Sequence, residues 1–244
     1  MKAIILAGEG KKDRGNFHQE KALAPIKGIP MIQYIIKALR TSDFIDTILV
    51  IGNIDTLQER IDKDVDILVQ QEASMMDNLL KALGYFKGEE EILIVTCDIP
   101  LINRDVVDNF IHTALALKVD IAYPIVEKSL CQKFYPQVKR TYVHLKDGSF
   151  TGGNMILLAP TVLNKIQQTA RLMIENRKKP ISMCRVLGFP FIIALLMRRL
   201  TILGLEGYIQ KKFHIRAKTI ISQDPEIAND IDKLEDILIL EKYL

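Results

Sequence analysis

Up to about residue 125 the chain alternates short apolar runs with helix-periodic segments, and this rhythm restricts its fold more than any other feature. The runs lie near Ala3–Ala7, Thr47–Ile51, Ile67–Gln70, Ile92–Thr96 and Ile121–Pro124. They read as buried strands, and a helix between each pair makes every connection a crossover. The expected class is α/β, a mostly parallel sheet with right-handed crossovers. Pro30 suits a first helical position, after which Ile32, Ile35, Ile36 and Leu39 share an inner face. Another helix is predicted from Asn103 or Arg104. Beyond residue 125 the rhythm breaks into Arg140–Lys146, a turn at Asp147-Gly148, and Phe150–Leu158. With no internal repeat, linker or low-complexity segment, residues 1–244 are expected to form a single domain with an insertion over about 125–215.

Composition narrows the function classes. With 244 residues, 48% of them hydrophobic, the chain can fill a substantial core, so disorder is not expected. A net charge of +3, spread out apart from Arg177-Lys-Lys179 and Lys139-Arg140, offers no footprint for nucleic acid. Cys97, Cys131 and Cys184 are odd in number and lack metal-ligand spacing, which argues against disulfides and zinc and for a reducing, cytoplasmic setting. The apolar run after Met1 is too short for a signal peptide. Leu187–Leu205 approaches membrane-spanning length, but Arg198 and Arg199 would each cost about 2.5–3.5 kcal/mol near a bilayer centre, and Pro190 interrupts its start. That stretch is read as a buried helix, or as a surface meeting a lipid, an apolar substrate or a second copy in a homodimer.

Two predicted strands end in chemistry. Lys2-Ala-Ile-Ile-Leu-Ala-Gly8 runs into Gly10-Lys-Lys-Asp-Arg14-Gly15, whose glycines let backbone amides approach phosphate oxygens. A tight turn would use the same glycines, and the residues alone leave both readings open. Arg14 and Lys21 follow closely, and two cations there can neutralise a triphosphate and stabilise charge on departing pyrophosphate. Lys11 and Lys12 read as solvated surface. Ile92-Leu-Ile-Val-Thr-Cys-Asp98-Ile-Pro100 delivers one carboxylate at a strand end, where burial without a partner is costly. A magnesium ion, a helix cap or a lysine partner would each compensate it. Ligands of open α/β sheets bind outside the carboxyl ends of the strands, so both features face one crevice. The late run Asp224-Pro-Glu-Ile-Ala-Asn-Asp230-Ile-Asp232-Lys-Leu-Glu-Asp236 sets Asp230 and Asp232 on one side of an extended segment. Magnesium usually takes one or two protein carboxylates, a count that Asp98 and Asp232 satisfy; an acidic helix N-terminus is the other reading.

Lys2-Ala-Ile-Ile-Leu-Ala-Gly8 with Arg14-Gly15, then Lys21-Ala-Leu-Ala-Pro25-Ile-Lys-Gly28-Ile-Pro30-Met-Ile32, resembles the opening of the MobA-like NTP transferases. Thr96-Cys-Asp98-Ile-Pro100-Leu resembles that family's metal-binding strand end, and Asp230-Ile-Asp232-Lys-Leu-Glu-Asp236 its late acidic motif. The resemblance implies a Rossmann-like, three-layer α/β/α nucleotidyltransferase fold of GT-A type on a mostly parallel mixed sheet, with the insertion on the acceptor side. It implies that Ala7, Gly8 and Gly10 hold the nucleotide and that Gln70, Ser74 and Asn78 lie where the base is met. Arg14, Lys21 and Asp98 would be the catalytic set, and Asp98 and Asp232 would bind Mg2+. Phe150-Thr151-Gly152-Gly153-Asn154 falls where relatives form part of the acceptor site. Gly153, Asn154 and Arg140 are the implied acceptor contacts, with Lys139, His144 and Lys146 close upstream. Glu9 departs from the pattern, standing where the family commonly has a second glycine.

The expected activity is Mg2+-dependent transfer of a nucleoside monophosphate from an NTP to a phosphorylated small-molecule acceptor, releasing pyrophosphate. Two alternatives are a GT-A glycosyltransferase, whose usual Asp-x-Asp is not apparent at Thr96-Cys-Asp98, and a nucleotide-binding or membrane-surface regulatory protein without turnover.

Overall fold

The computed structural model describes residues 1–8, 17, 20–162, 167–169, 171–172 and 188–244. In chain order it begins with β1 (Lys2–Leu6), a hairpin of β2 (Pro25–Ile26) and β3 (Ile29–Pro30), α1 (Met31–Arg40), β4 (Thr47–Gly52), α2 (Ile54–Ile61) and β5 (Ile67–Gln70). Next come α3 (Met75–Leu83), β6 (Ile92–Thr96), α4 (Arg104–Leu117) and β7 (Ile121–Glu127). All five predicted strands are present. Strands β5, β4, β1 and β6 lie parallel and side by side in that order.

Both faces of this parallel half are covered, which is why its strands read as unbroken apolar runs. Ala3, Ile5, Val50 and Val95 pack with Ile32, Ile35, Ile36 and Leu39 of α1 and with Val107, Phe110 and Ile111 of α4. On the opposite face Ile4, Leu49, Ile51 and Ile94 meet Ala82 and Leu83 of α3. Fully burying each such isoleucine contributes about 1.5–3 kcal/mol relative to exposure. Of the two expected starts α4 takes Arg104, and Asn103 caps it by accepting from the Val106 N–H at 3.0 Å. Pro30 stands one residue before α1 because it closes the β2–β3 hairpin. That hairpin turns at Lys27 and Gly28, both at positive φ (48° and 80°), the pair of values a two-residue type I′ turn needs.

The second half joins the same sheet. After α5 (Lys128–Phe134) come β8 (Val143–Leu145), β9 (Gly148–Gly152) and β10 (Met155–Leu158), with β11 (Ala217–Ser222) near the end. Strand β10 sits between β6 and β7, antiparallel to both, and β9 continues along β7 with β8 outside it. Strand β11 runs parallel to β7 along its other edge, so the sheet is mixed. The β8–β9 turn falls at Lys146 and Asp147, one residue earlier than the Asp147-Gly148 expectation, because Gly148 already pairs with Leu145. Along β7, Gly152 pairs with Ile125 and Leu157 with Ala122, so residues 153–156 face only residues 123 and 124. The extra length bulges out at Gly153 and Asn154.

The apolar stretch Leu187–Leu205, described from residue 188 onward, divides into helices Phe189–Leu196 and Ile202–Phe213. Between them Arg198 lies at φ 55°, which no continuing helix accommodates. Among the described residues no helix is long and apolar enough to cross a membrane. The second helix packs Ile209 and Phe213 onto the α3 side of the sheet.

Candidate active site

The crevice begins where β1 and β6 end together. Leu6 pairs with Thr96, and the Cys97 N–H donates to the Leu6 carbonyl, so Gly8 and Asp98 each stand two residues past the paired ends. A Cβ on Gly8 would come within 2.4 Å of Asn78 Nδ2 and 3.0 Å of Gln71 Oε1, so a larger residue would have to displace those side chains. Ala7 is buried, its backbone N–H given to the Ile51 carbonyl. Glu9, Gly10 and Arg14 lie outside the described residues.

Asp98 is met from two directions. Lys21, opening the short helical turn Lys21–Leu23, places its Nζ 2.6 Å from Asp98 Oδ2 and 3.4 Å from Asp232 Oδ1. Burial alone would lower the pKa of Lys21, but the charge of Asp98 and the hydrogen bond to it outweigh that and hold it above the ordinary lysine value. From the other side the Ile231 N–H donates to the Asp98 carbonyl at 2.9 Å, which docks the late acidic segment against the strand end. Carboxylate oxygens of Asp98, Asp230 and Asp232 thereby come within 4.8 Å of one another. Burial pushes the Asp230 carboxyl above its ordinary value, Arg140 pulls it back, and Asp98 and Asp232 push it up further, for a net rise. Asp236 instead caps the helix Leu234–Leu240, accepting from the Asp232 and Lys233 N–H groups.

The donor set is entirely oxygen, which suits a hard divalent cation. Among the described residues, Asp98 Oδ1 is buried without a hydrogen-bond partner, as is Thr96 Oγ1 two residues earlier. A cation held by Asp98, Asp230 and Asp232 would satisfy the Asp98 oxygen, so the residues present fit one.

The acceptor-side positions reach the same place only in part. Asn154 sits in the bulge, its carbonyl taking the Thr96 N–H and its N–H given to Ile227, with Nδ2 3.5 Å from Asp230 Oδ1. Gly153 donates its N–H to the Pro124 carbonyl, and a Cβ there would lie 2.8 Å from Pro124 Cγ. Arg140 is engaged by Asp230 through Nη2 and Nη1. His144 pairs its Nδ1 with Ser149 Oγ at 2.7 Å across the β8–β9 hairpin, and Lys146 lies in the turn. On the other flank, Ser74 caps α3 and Asn78 accepts from the Glu72 N–H. Gln70 accepts from the Ile54 N–H instead of facing Gly8. Its neighbour Gln71 takes that place, and Asp230 joins the carboxylates; neither was among the residues expected to act. The alternation along an extended segment carried both signals, since Asp230 shares a side with Asp232 and Gln71 opposes Gln70.

Comparison with known proteins places the chain in a family. Residues 3–179 match the model of the MobA-like NTP transferase domain. Curated relatives include the bifunctional protein GlmU of Francisella philomiragia, 30% identical over 115 residues, and that of Clostridioides difficile, 29% over 107. These matches cover 46% and 43% of this chain but only 25% and 23% of those proteins. A hypothetical transferase from Thermus thermophilus superposes with a TM-score of 0.84 at 30% identity, covering 97% of this chain and 98% of that one. CMP:2-keto-3-deoxy-manno-octonic acid synthetase, solved with CTP, shares the fold at a TM-score of 0.63 and 12% identity, covering 100% and 98% of the two chains. With its mixed sheet covered by helices on both faces and a family match running through β1, β6 and the bulge, the chain belongs to the MobA-like NTP transferase family, on the Rossmann-like fold of the nucleotidyltransferases.

Proposed function

We propose that this protein transfers a nucleoside monophosphate from an NTP to a phosphorylated small molecule in the cytoplasm, releasing pyrophosphate and requiring Mg2+. The observation that carries this reading is the convergence of Asp98, Asp230 and Asp232 with Lys21 at the carboxyl ends of β1 and β6. Asp98, Asp230 and Asp232 would hold the magnesium ion, which would supply positive charge to the phosphates. In the transfer an acceptor phosphate oxygen bonds to the α-phosphorus. The α–β bridging bond breaks, and its electron pair leaves with pyrophosphate.

The residues of the chain serve that displacement by position and charge. Lys21, kept protonated beside Asp98, offers an ammonium to the leaving group, with Arg14 as a second cation. Ala7, Gly8 and Gly10 offer backbone to the nucleotide, and Gln70, Ser74 and Asn78 belong to the flank assigned to the base. Gly153 and Asn154 form the acceptor side, where the Asn154 amide can both donate and accept. No general base is needed, because a phosphate acceptor is already anionic at neutral pH.

Pyrophosphate release, measured with each of the four NTPs and Mg2+ against sugar, polyol and lipid phosphates, tests the proposal. Release should require one NTP and one acceptor class. Asp98→Asn should lower turnover by about 10²–10³-fold with the melting temperature retained. Full metal-dependent release in that variant would remove Asp98 from the mechanism, and silence with every pair would remove nucleotidyl transfer.

A further inference from the structure

We propose that Arg140 positions Asp230 for cation binding instead of contacting the acceptor phosphate, an inference that rests on the nucleotidyl-transfer reading of this site. Arg140 lies in the insertion, between α5 and β8, and Asp230 follows 90 residues later in the acidic segment. The guanidinium grips that segment at two points. Nη2 donates to Asp230 Oδ1, and Nη1 donates to the Asp230 carbonyl oxygen at 3.3 Å. Only 11% of the Arg140 side chain and 18% of the Asp230 side chain are exposed, so water does little to screen either charge from the other.

The grip has a consequence for the carboxylate group. Arg140 takes Oδ1, with Asn154 Nδ2 near the same atom, and one Asp230 carboxylate oxygen lies within 4.8 Å of oxygens of Asp98 and Asp232. Because one guanidinium holds both the side chain and the backbone of Asp230, it sets the carboxylate's rotamer and its distance from the strand end together. A lysine would keep the charge but not the fork. Of the other Arg140 donors, Nε is buried away from solvent and so is not presented to an arriving acceptor. Arg140 thus ties the insertion to the ligand set, as the outer partners of metal ligands do elsewhere.

Mn2+ binding, followed by electron paramagnetic resonance on the whole chain without nucleotide, tests the inference in the wild type, Arg140→Lys and Arg140→Met, with thermal melts reporting on the fold. The Mn2+ dissociation constant should rise about 10–100-fold in each folded variant. In pyrophosphate-release assays the half-saturating Mg2+ should rise in parallel. Saturating Mg2+ should restore most of the Arg140→Lys rate, and the acceptor KM should stay nearly constant. If Arg140→Met fails to fold, Arg140→Lys carries the test alone. Unchanged Mn2+ affinity with a raised acceptor KM would overturn the inference and hand Arg140 to the acceptor; so would a wild type that binds no Mn2+. Arg140-dependent Mn2+ binding without pyrophosphate release would leave the inference standing and remove the transfer reading.

Discussion

Gly8 is a position where neighbouring side chains crowd out a Cβ. Its missing Cβ leaves room for Asn78 Nδ2 and Gln71 Oε1, and Asn78 cannot simply withdraw, because its Oδ1 is bonded to the Glu72 N–H. Gly8→Ala should therefore cost about 1–3 kcal/mol in urea unfolding. Asn78→Ala in the same chain should recover part of that loss, because the two sites share the contact. Full additivity of the two changes would show that the contact does not matter. Gly8 and Asp98 were legible in the sequence because each ends an unbroken apolar run, where a glycine or a carboxylate has no reason to sit in a core. Asp230 was harder to separate from Asp232. The two share one face of an extended segment, and their roles divide only when Arg140, from a distant part of the chain, binds one of them.

Among the elements, the helix Ile202–Phe213 depends on one buried carboxylate. Glu206 accepts from Lys218 Nζ at 2.6 Å and from the Thr219 N–H and hydroxyl at 2.8 Å each, joining the helix to β11. Burial pushes its pKa up, but the Lys218 and Thr219 bonds outweigh this and bring it below the ordinary 4.5. A folded pKa below the unfolded one contributes stability that is present above 4.5 and lost as pH falls through the folded value. Glu206→Gln should cost about 1.5–3 kcal/mol at neutral pH, and the gap to wild type should close in acid. Urea melts at neutral pH and well below 4.5 check both statements; a pH-independent gap would mean that shape, not charge, matters there. Helix α1 and the start of α4 were readable from periodicity and a capping asparagine. The β2–β3 hairpin was not, because strands of two residues carry no period. The break at Arg198 was hidden too, since an arginine at positive φ has no composition signature.

Across the whole molecule, the sheet is the frame on which both halves of the site are hung. Strands β1, β6 and β10 are paired on both edges, whereas among the described residues β5, β8 and β11 each have one strand neighbour. Native-state hydrogen exchange should therefore give the greatest protection at Ile4, Ile94 and Leu157 and the least in β5, β8 and β11, and uniform protection would contradict this ordering. The alternation of buried runs and helices determined by itself the α/β class, the parallel half and the end of the sheet at which Gly8 and Asp98 meet, because burial on both faces dictates residue type locally. Only the tertiary structure decided that β10 enters between β6 and β7, that the Gly153–Asn154 bulge meets Thr96 and Asp230, and that Arg140 binds Asp230. Those outcomes depend on pairings between residues far apart in the chain, and no local pattern encodes which distant partner completes a strand edge or a buried charge.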